Sequence, residues 1–341
     1  MKDFKYKNSF KSLIYILLII LIVSGLVMVL PNKAYKLKLT FENFYEMSNQ
    51  NEFIIVGSSS TYNALNPTIM DEITGKDSYN LATPAQSLED TYYLVKNIYE
   101  KYTPQNIIIG LNTPLFQFEQ DNEASRILLS VLDNSWSKIE YFFSCFDIYE
   151  FFYFFNKEPL SFSLMHIIDG EYLYNLINYK ELEKQINKEI NQNTKGYISN
   201  EKEYSEDVKI EYYFDVSREN ERYLKKIVKL CKEKGSNIIL FTAPLSPTQK
   251  NSTEELQQYN EYLNNIANEY DIINLDFNLL KKELFPHTYE YFADDLHIRH
   301  TGAEIVSNVM GNLLNDINNG SYDVSEYFYD NYKISHDEKF Q

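Results

Sequence analysis

Residues 53–60 read Phe-Ile-Ile-Val-Gly-Ser-Ser-Ser, and this stretch decides the fold. Four apolar residues, three of them β-branched, run without polar interruption into a glycine. A strand with one wet face alternates apolar and polar residues, whereas an unbroken short run suits a strand buried on both faces of a parallel sheet. The pattern recurs along the chain. Ile107-Ile-Ile109 ends at Gly110, Ile238-Ile-Leu-Phe241 ends in Thr242-Ala-Pro, and Ile272-Ile273 leads to Asn274-Leu-Asp. Tyr79-Asn-Leu81 adds a fifth, shorter run.

Helical patterns lie between these runs. Ser87 with Asp90 forms a capping-box signature ahead of Leu88, Val95, Ile98 and Tyr102. Leu224, Ile227, Val228 and Cys231 make a second stripe that stops at Gly235. Ser252 with Glu255 caps a third, with Leu256, Tyr259, Leu263 and Ile266, and Ile305, Val306, Val309 and Leu313 make a fourth. Strands alternating with helices predict a doubly wound α/β domain, three layers deep, around a mostly parallel five-stranded sheet.

The chain has 341 residues, enough for one α/β domain with an insertion or for two small domains. Apolar residues make up 44%, so the chain can fill a core, and disorder is excluded on composition. Net charge is −17, and the first 38 residues hold seven Lys against one Asp. The remainder therefore carries 25 basic and 48 acidic residues, a net of −23. Nucleic-acid binding runs on Lys and Arg neutralising phosphates, so a body this acidic predicts no nucleic-acid partner. Two cysteines, Cys145 and Cys231, make neither a disulfide framework nor a four-cysteine zinc site. Cys231 lies on an apolar stripe and reads as a buried structural residue.

Lys2, Lys5, Lys7 and Lys11 precede an uncharged apolar run from Ser12 to Leu30. That run has the length needed to cross a bilayer as a helix, and it lacks a small-residue cleavage site before Pro31. The expectation is a cytoplasmic segment 1–11, a single-pass anchor 12–30 in the lipid bilayer, and an outward-facing body in the cell envelope. A cleaved signal peptide is the competing reading. Residues 31–50 read as a polar connector, 51–315 as the main domain, and 316–341 as a polar, Tyr-rich tail. Residues from about 120 to 215 exceed what a crossover needs, so they read as a helical insertion. It contains Tyr141-Phe-Phe143 and Phe151-Phe-Tyr-Phe-Phe155, suited to an aromatic core of its own or to a membrane or partner surface.

The chemistry-bearing residues sit at strand ends. Ser59 follows the first strand, where a glycine permits a sharp turn and the next helix offers free N–H groups. That placement suits a nucleophile, and a simple helix cap is the alternative. Asp294 and His297 are three residues apart in Ala293-Asp-Asp-Leu-His-Ile-Arg-His-Thr-Gly302, close enough for the carboxylate to orient the imidazole as a base. A solvated loop, or a metal site from Asp294, Asp295, His297 and His300, are the other readings. Asn112, in Gly110-Leu-Asn112, can donate to an oxyanion from the end of the third strand.

Together these blocks resemble the SGNH/GDSL hydrolases. Ser59 in Gly-Ser-Ser, Asn80-Leu-Ala-Thr-Pro-Ala85, Gly110-Leu-Asn112, and Asp294 with His297 and Gly302 stand in that family's order. The likeness covers roughly residues 50–115 and 218–315. It implies acyl transfer with Ser59 as nucleophile, His297 as base and Asp294 as its orienter, without a metal or other cofactor. The oxyanion hole would comprise the N–H groups of Ser59 and Ala85 and the Asn112 side chain. Ser58 stands where many members have Asp, and Ala85 where they usually have Gly. Alanine takes glycine conformations only at a cost, which predicts a displaced hole. With the anchor, the architecture is similar to DltD-like teichoic-acid D-alanyl-transfer proteins and to polysaccharide O-acetylation proteins. That implies esterase or acyltransferase action on acetyl or D-alanyl groups of cell-surface glycans. The alternative is an inactive accessory protein for a membrane O-acyltransferase.

Overall fold

In this computed structural model, the described residues are 35–47, 51–112, 116, 122–150, 194–206 and 214–340, with positions 11, 14, 15 and 18. The apolar runs form β1 (Phe53–Val56), β2 (Ser78–Asn80), β3 (Asn106–Leu111), β4 (Asn237–Thr242) and β5 (Ile273–Asp276). They pair in the order β2-β1-β3-β4-β5, and every pair is parallel.

Helices cover both faces. Before and around the first strands come α1 (Tyr35–Met47), α2 (Ser59–Ala64), α3 (Pro67–Thr74) and α4 (Leu88–Tyr99). The insertion supplies α5 (Asn122–Val131) and α6 (Trp136–Cys145), and α7 (Arg218–Lys234) then leads into β4. After it come α8 (Thr253–Tyr270), α9 (His300–Asn319), α10 (Val324–Tyr327) and α11 (Tyr332–Phe340). The alternation of strand side chains separates two cores. Ile54 and Val56 join Phe44, Leu94, Ile98 and Ile227 on one face. Phe53 and Ile55 join Met70, Val306, Met310 and Leu313 on the other. Each fully buried side chain of this kind contributes roughly 1.5–3 kcal/mol, so a sheet wet on one face would forfeit half of this stabilisation.

Several local expectations change. Within 31–50, the expected polar connector, α1 buries Phe41 and Phe44 completely, and Tyr79 donates to the Thr40 carbonyl at 2.8 Å. The stretch is polar on average, but its two phenylalanines lie three apart and share a helix face. The tail after Asn315 is packed as well: Phe328 bridges to Leu280, and the Tyr332 hydroxyl donates to Asp276 Oδ2 at 2.7 Å. Ser252 makes no side-chain cap on α8, whereas Ser87 and Asp90 do form the reciprocal capping box of α4. Asp90 also accepts from Ser125 Oγ at 2.9 Å and from the Tyr141 hydroxyl, so the same carboxylate ties the insertion to α4. Cys231 is buried, and Cys145 and Cys231 form no disulfide.

The expected anchor lies outside the described residues apart from Ile14, Tyr15 and Leu18, and so does the aromatic run 151–155. Among the described residues, no helix is long and apolar enough to cross a membrane.

Candidate active site

The site begins where β1 and β3 leave the sheet. Gly57 has φ +148°, and a Cβ there would lie 2.9 Å from the Gly110 carbonyl oxygen. A Cβ on Gly110 would overlap the Thr61 side chain at 1.8 Å. These two glycines let the first turn of α2 sit directly on the strand ends. Ser59 is the first residue of α2, and the preceding Ser58 makes no side-chain cap. The Ser58 hydroxyl instead accepts from Asn112 Nδ2 at 2.8 Å.

The Asp294–His297 turn is closed by its own hydrogen bonds. Asp294 Oδ1 accepts from the backbone N–H of Leu296 at 2.8 Å and of His297 at 2.9 Å. Ala293 N–H donates to the His297 carbonyl at 2.8 Å, and Phe292 bridges to Ile298. The carboxylate then meets His297 Nδ1 at 2.8 Å through Oδ2, and His297 Nε2 lies 2.7 Å from Ser59 Oγ. Burial pushes the Asp294 carboxyl up, but its bonds to His297 and to the two backbone N–H groups outweigh this and hold it below its ordinary value. An ionised carboxylate only accepts, so Nδ1 carries the ring proton and Nε2 presents its lone pair to the Ser59 hydroxyl.

Ala85 takes the glycine-like conformation despite its Cβ, with φ +48°. Its loop is pinned around it. Thr83 N–H donates to the Gly57 carbonyl at 3.0 Å, and Gln86 Oε1 accepts from Thr83 N at 3.1 Å and Oγ1 at 3.0 Å. Gln86 Nε2 donates to Thr91 Oγ1 at 2.9 Å. The Cβ of Ala85 thus brings backbone strain at a loop still held against the end of β1. Asn112 lies beside Ser59, but its Nδ2 donates to Ser58 Oγ and Ser60 Oγ, each at 2.8 Å.

The remaining acidic and histidine residues of the 294–300 stretch turn elsewhere. Asp295 Oδ1 accepts from Tyr204 and Ser246 hydroxyls at 2.8 Å and from Thr248 Oγ1 at 2.9 Å. His300 Nδ1 faces the Tyr197 hydroxyl at 3.0 Å. Among the described residues, no three His, Cys, Asp or Glu side chains converge on a metal position. Sequence reasoning missed the role of residues 194–206. This segment ties α2 to the His297 loop: Asn63 Nδ2 donates to the Ile198 carbonyl at 2.7 Å, and Ser205 N–H to the Ala293 carbonyl at 2.9 Å. No local motif marks such a strap, because the two bonds that tie it to α2 and to the His297 loop reach distant parts of the chain.

No family model and no curated protein matches this chain. Solved structures align with it at low identity and low overall similarity. One, described as a lipolytic protein of the G-D-S-L family from Desulfitobacterium hafniense, is 11% identical with a TM-score of 0.38, covering 77% of this chain and 99% of that one. Another, described as an acylhydrolase from Bacteroides fragilis, is 10% identical with a TM-score of 0.40, covering 85% of this chain and 99% of that one. On its own geometry, the chain is an open parallel α/β protein with a serine, histidine and aspartate in hydrogen-bonded series at the carboxyl ends of its strands.

Proposed function

We propose that this chain is a serine esterase or acyltransferase of SGNH type. The observation that carries the reading is the series Asp294 Oδ2, His297 and Ser59 Oγ, linked at 2.8 and 2.7 Å. Ser59 Oγ attacks the ester carbonyl carbon while His297 Nε2 takes its proton. Asp294 stabilises the imidazolium that forms. The N–H groups of Ser59 and Ala85 meet the oxyanion at the start of α2 and at the β2–α4 loop. His297 then returns the proton to the departing alkoxide, leaving an acyl-Ser59 ester. Water or an acceptor hydroxyl attacks that ester by the same route in reverse, so hydrolysis and transfer differ only in the attacking hydroxyl.

The substrate in this reading is an acyl ester of a cell-surface glycan, reached by a body held outside the membrane through residues 12–30. The net charge of −23 beyond residue 38 favours a neutral glycan over a polyanion. A second reading, an accessory protein for a membrane O-acyltransferase, has its own support. Trp136 and Phe143 lie seven residues apart on α6 and are 75% and 73% exposed, although one edge of Phe143 packs on Phe142 at 5.3 Å.

The test uses the full chain, p-nitrophenyl acetate and a fluorophosphonate probe. Wild type should hydrolyse the ester and be labelled at Ser59, and Ser59→Ala should lose both. Hydrolysis that survives Ser59→Ala refutes the nucleophile. Surface acylation that persists in cells carrying Ser59→Ala, but stops with Trp136→Ser and Phe143→Ser, favours the accessory reading.

A further inference from the structure

The hydrogens beside Ser59 outnumber the hydrogen bonds that the cluster itself can make. Asn112 has two amide hydrogens, and both are taken, by Ser58 Oγ and Ser60 Oγ at 2.8 Å each. The two hydroxyls lie 3.3 Å apart. Each brings one hydrogen of its own, and only one of these fits between the two oxygens. The other has no acceptor among the described residues. Ser58 is 6% exposed and Ser60 2%, so water does not freely satisfy it. Buried donors without acceptors are rare in folded proteins, and each calls for an explanation.

Resting on the serine-hydrolase reading, we infer that the spare hydrogen belongs to Ser58 and serves as the third oxyanion donor, with Asn112 a positioning residue that acts through it. Ser60 lies within α2 and is the more enclosed of the two, so its O–H donates inward to Ser58 Oγ. Ser58 Oγ then accepts from both Asn112 and Ser60, and its own O–H points out of the cluster. It precedes the nucleophile by one residue, beside the Ser59 N–H that serves the same oxygen. Hydrogen bonds in a chain polarise one another, so two donors behind Ser58 make its O–H a stronger donor. No bond is made or broken by Ser58; its hydrogen bond strengthens as the carbonyl oxygen gains charge. Because the charge exists only in the transition state, the contribution falls on kcat and not on KM.

Asn112 thereby plays a different part from that of a direct donor. Neither amide hydrogen can turn to an oxyanion without breaking a 2.8 Å bond to a serine.

The experiment measures kcat and KM for p-nitrophenyl acetate with Ser58→Ala, Ser60→Ala, Asn112→Ala and the double variant Ser58→Ala/Asn112→Ala, each checked for folding by thermal melting. Loss of one oxyanion donor lowers kcat by about 10²-fold or more, and Ser58→Ala should do so with KM little changed. Asn112→Ala should match it, and the double variant should be no worse than the poorer single, because the two act as one unit. Ser60→Ala should cost less than either. Ser58→Cys keeps the size with a weaker donor and should fall between wild type and Ser58→Ala, which preserves the test if the alanine variant misfolds. Three results overturn the proposal: wild-type kcat in Ser58→Ala alongside a loss in Asn112→Ala, multiplying losses in the double variant, or the largest loss in Ser60→Ala. A wild type that neither hydrolyses the ester nor labels at Ser59 overturns the hydrolase reading itself. Activity lost only in particular variants cannot be mistaken for that outcome.

Discussion

Replacing Ala85 by glycine separates strain from misplacement at the proposed oxyanion hole. Ala85 has φ +48° and is exposed, so its methyl group adds little burial while its backbone sits in the left-handed region. That region costs a non-glycine residue roughly 1–2 kcal/mol. The extra freedom of glycine in the unfolded chain returns about 0.4–1 kcal/mol of this. The net expectation for Ala85→Gly is a stabilisation of about 0.5–1 kcal/mol, or roughly 1 °C in Tm for a chain of this size. The rate should hardly change. The loop is already fixed by Thr83 N–H on the Gly57 carbonyl and by the Gln86 side chain on Thr83, so the N–H of residue 85 gains no new position. Thermal melting and the rate of fluorophosphonate labelling at Ser59 read the two effects separately. Tenfold faster labelling corresponds to about 1.4 kcal/mol of barrier, and would show that the alanine does displace the hole. A fall in Tm would refute the strain itself. Ala85→Val should move the other way and melt lower, since a β-branched side chain fits the left-handed region worse.

Two further outcomes follow from the charged groups. Asp294→Asn should lower kcat by about 10³–10⁴-fold, because an amide can donate to Nδ1 and leave the proton on Nε2, where it cannot accept from Ser59. The Asp294 carboxyl is held below its ordinary value, so its stabilisation is present above the ordinary carboxylate range and is lost as pH falls through the lowered value. The stability gap between wild type and Asp294→Asn in urea should accordingly close with acidification, and a constant gap would refute the linkage. Burial pulls the Lys339 amine down to about 7 against a partial pull upward from Asp276, while it donates to the Asn278 carbonyl. Between that value and the ordinary lysine value, the unfolded chain holds a proton that the folded chain lacks, so stability should rise with pH above about 7. Lys339→Met should flatten this rise and stabilise most at pH 7 and below; an equal slope in both proteins, by urea unfolding, would count against it.

Features that depend on neighbours in the chain are legible in the sequence. β1, β3 and β4 announce themselves because a strand buried on both faces needs an unbroken apolar run, and no solvent face interrupts it. Asp294 and His297 pair within three residues, and the Ser87–Asp90 box closes within three as well. Average polarity misleads where burial depends on a few side chains, as at Phe41 and Phe44 in α1 and at Phe328 and Tyr332 in the tail.

Chain-local pattern alone determined the parallel sheet, the strand-end serine and the acid–base pair. The tertiary structure decided what those groups touch. Ser59 and His297 stand 238 positions apart, and meet at 2.7 Å only because folding brings the turn before α9 to the carboxyl end of β1. Asn112 reads as a free donor in the sequence, yet folding brings Ser58 and Ser60 across 54 and 52 positions to take both its hydrogens. Alanine at position 85 predicts a displaced loop from its intrinsic preference, and the bonds from Gly57 and Gln86 hold it in the left-handed region nonetheless. The physical reason is common to all three: a residue's conformational preference is a property of its own backbone, whereas its hydrogen-bond partners are set by loop closures that the whole packed sheet enforces.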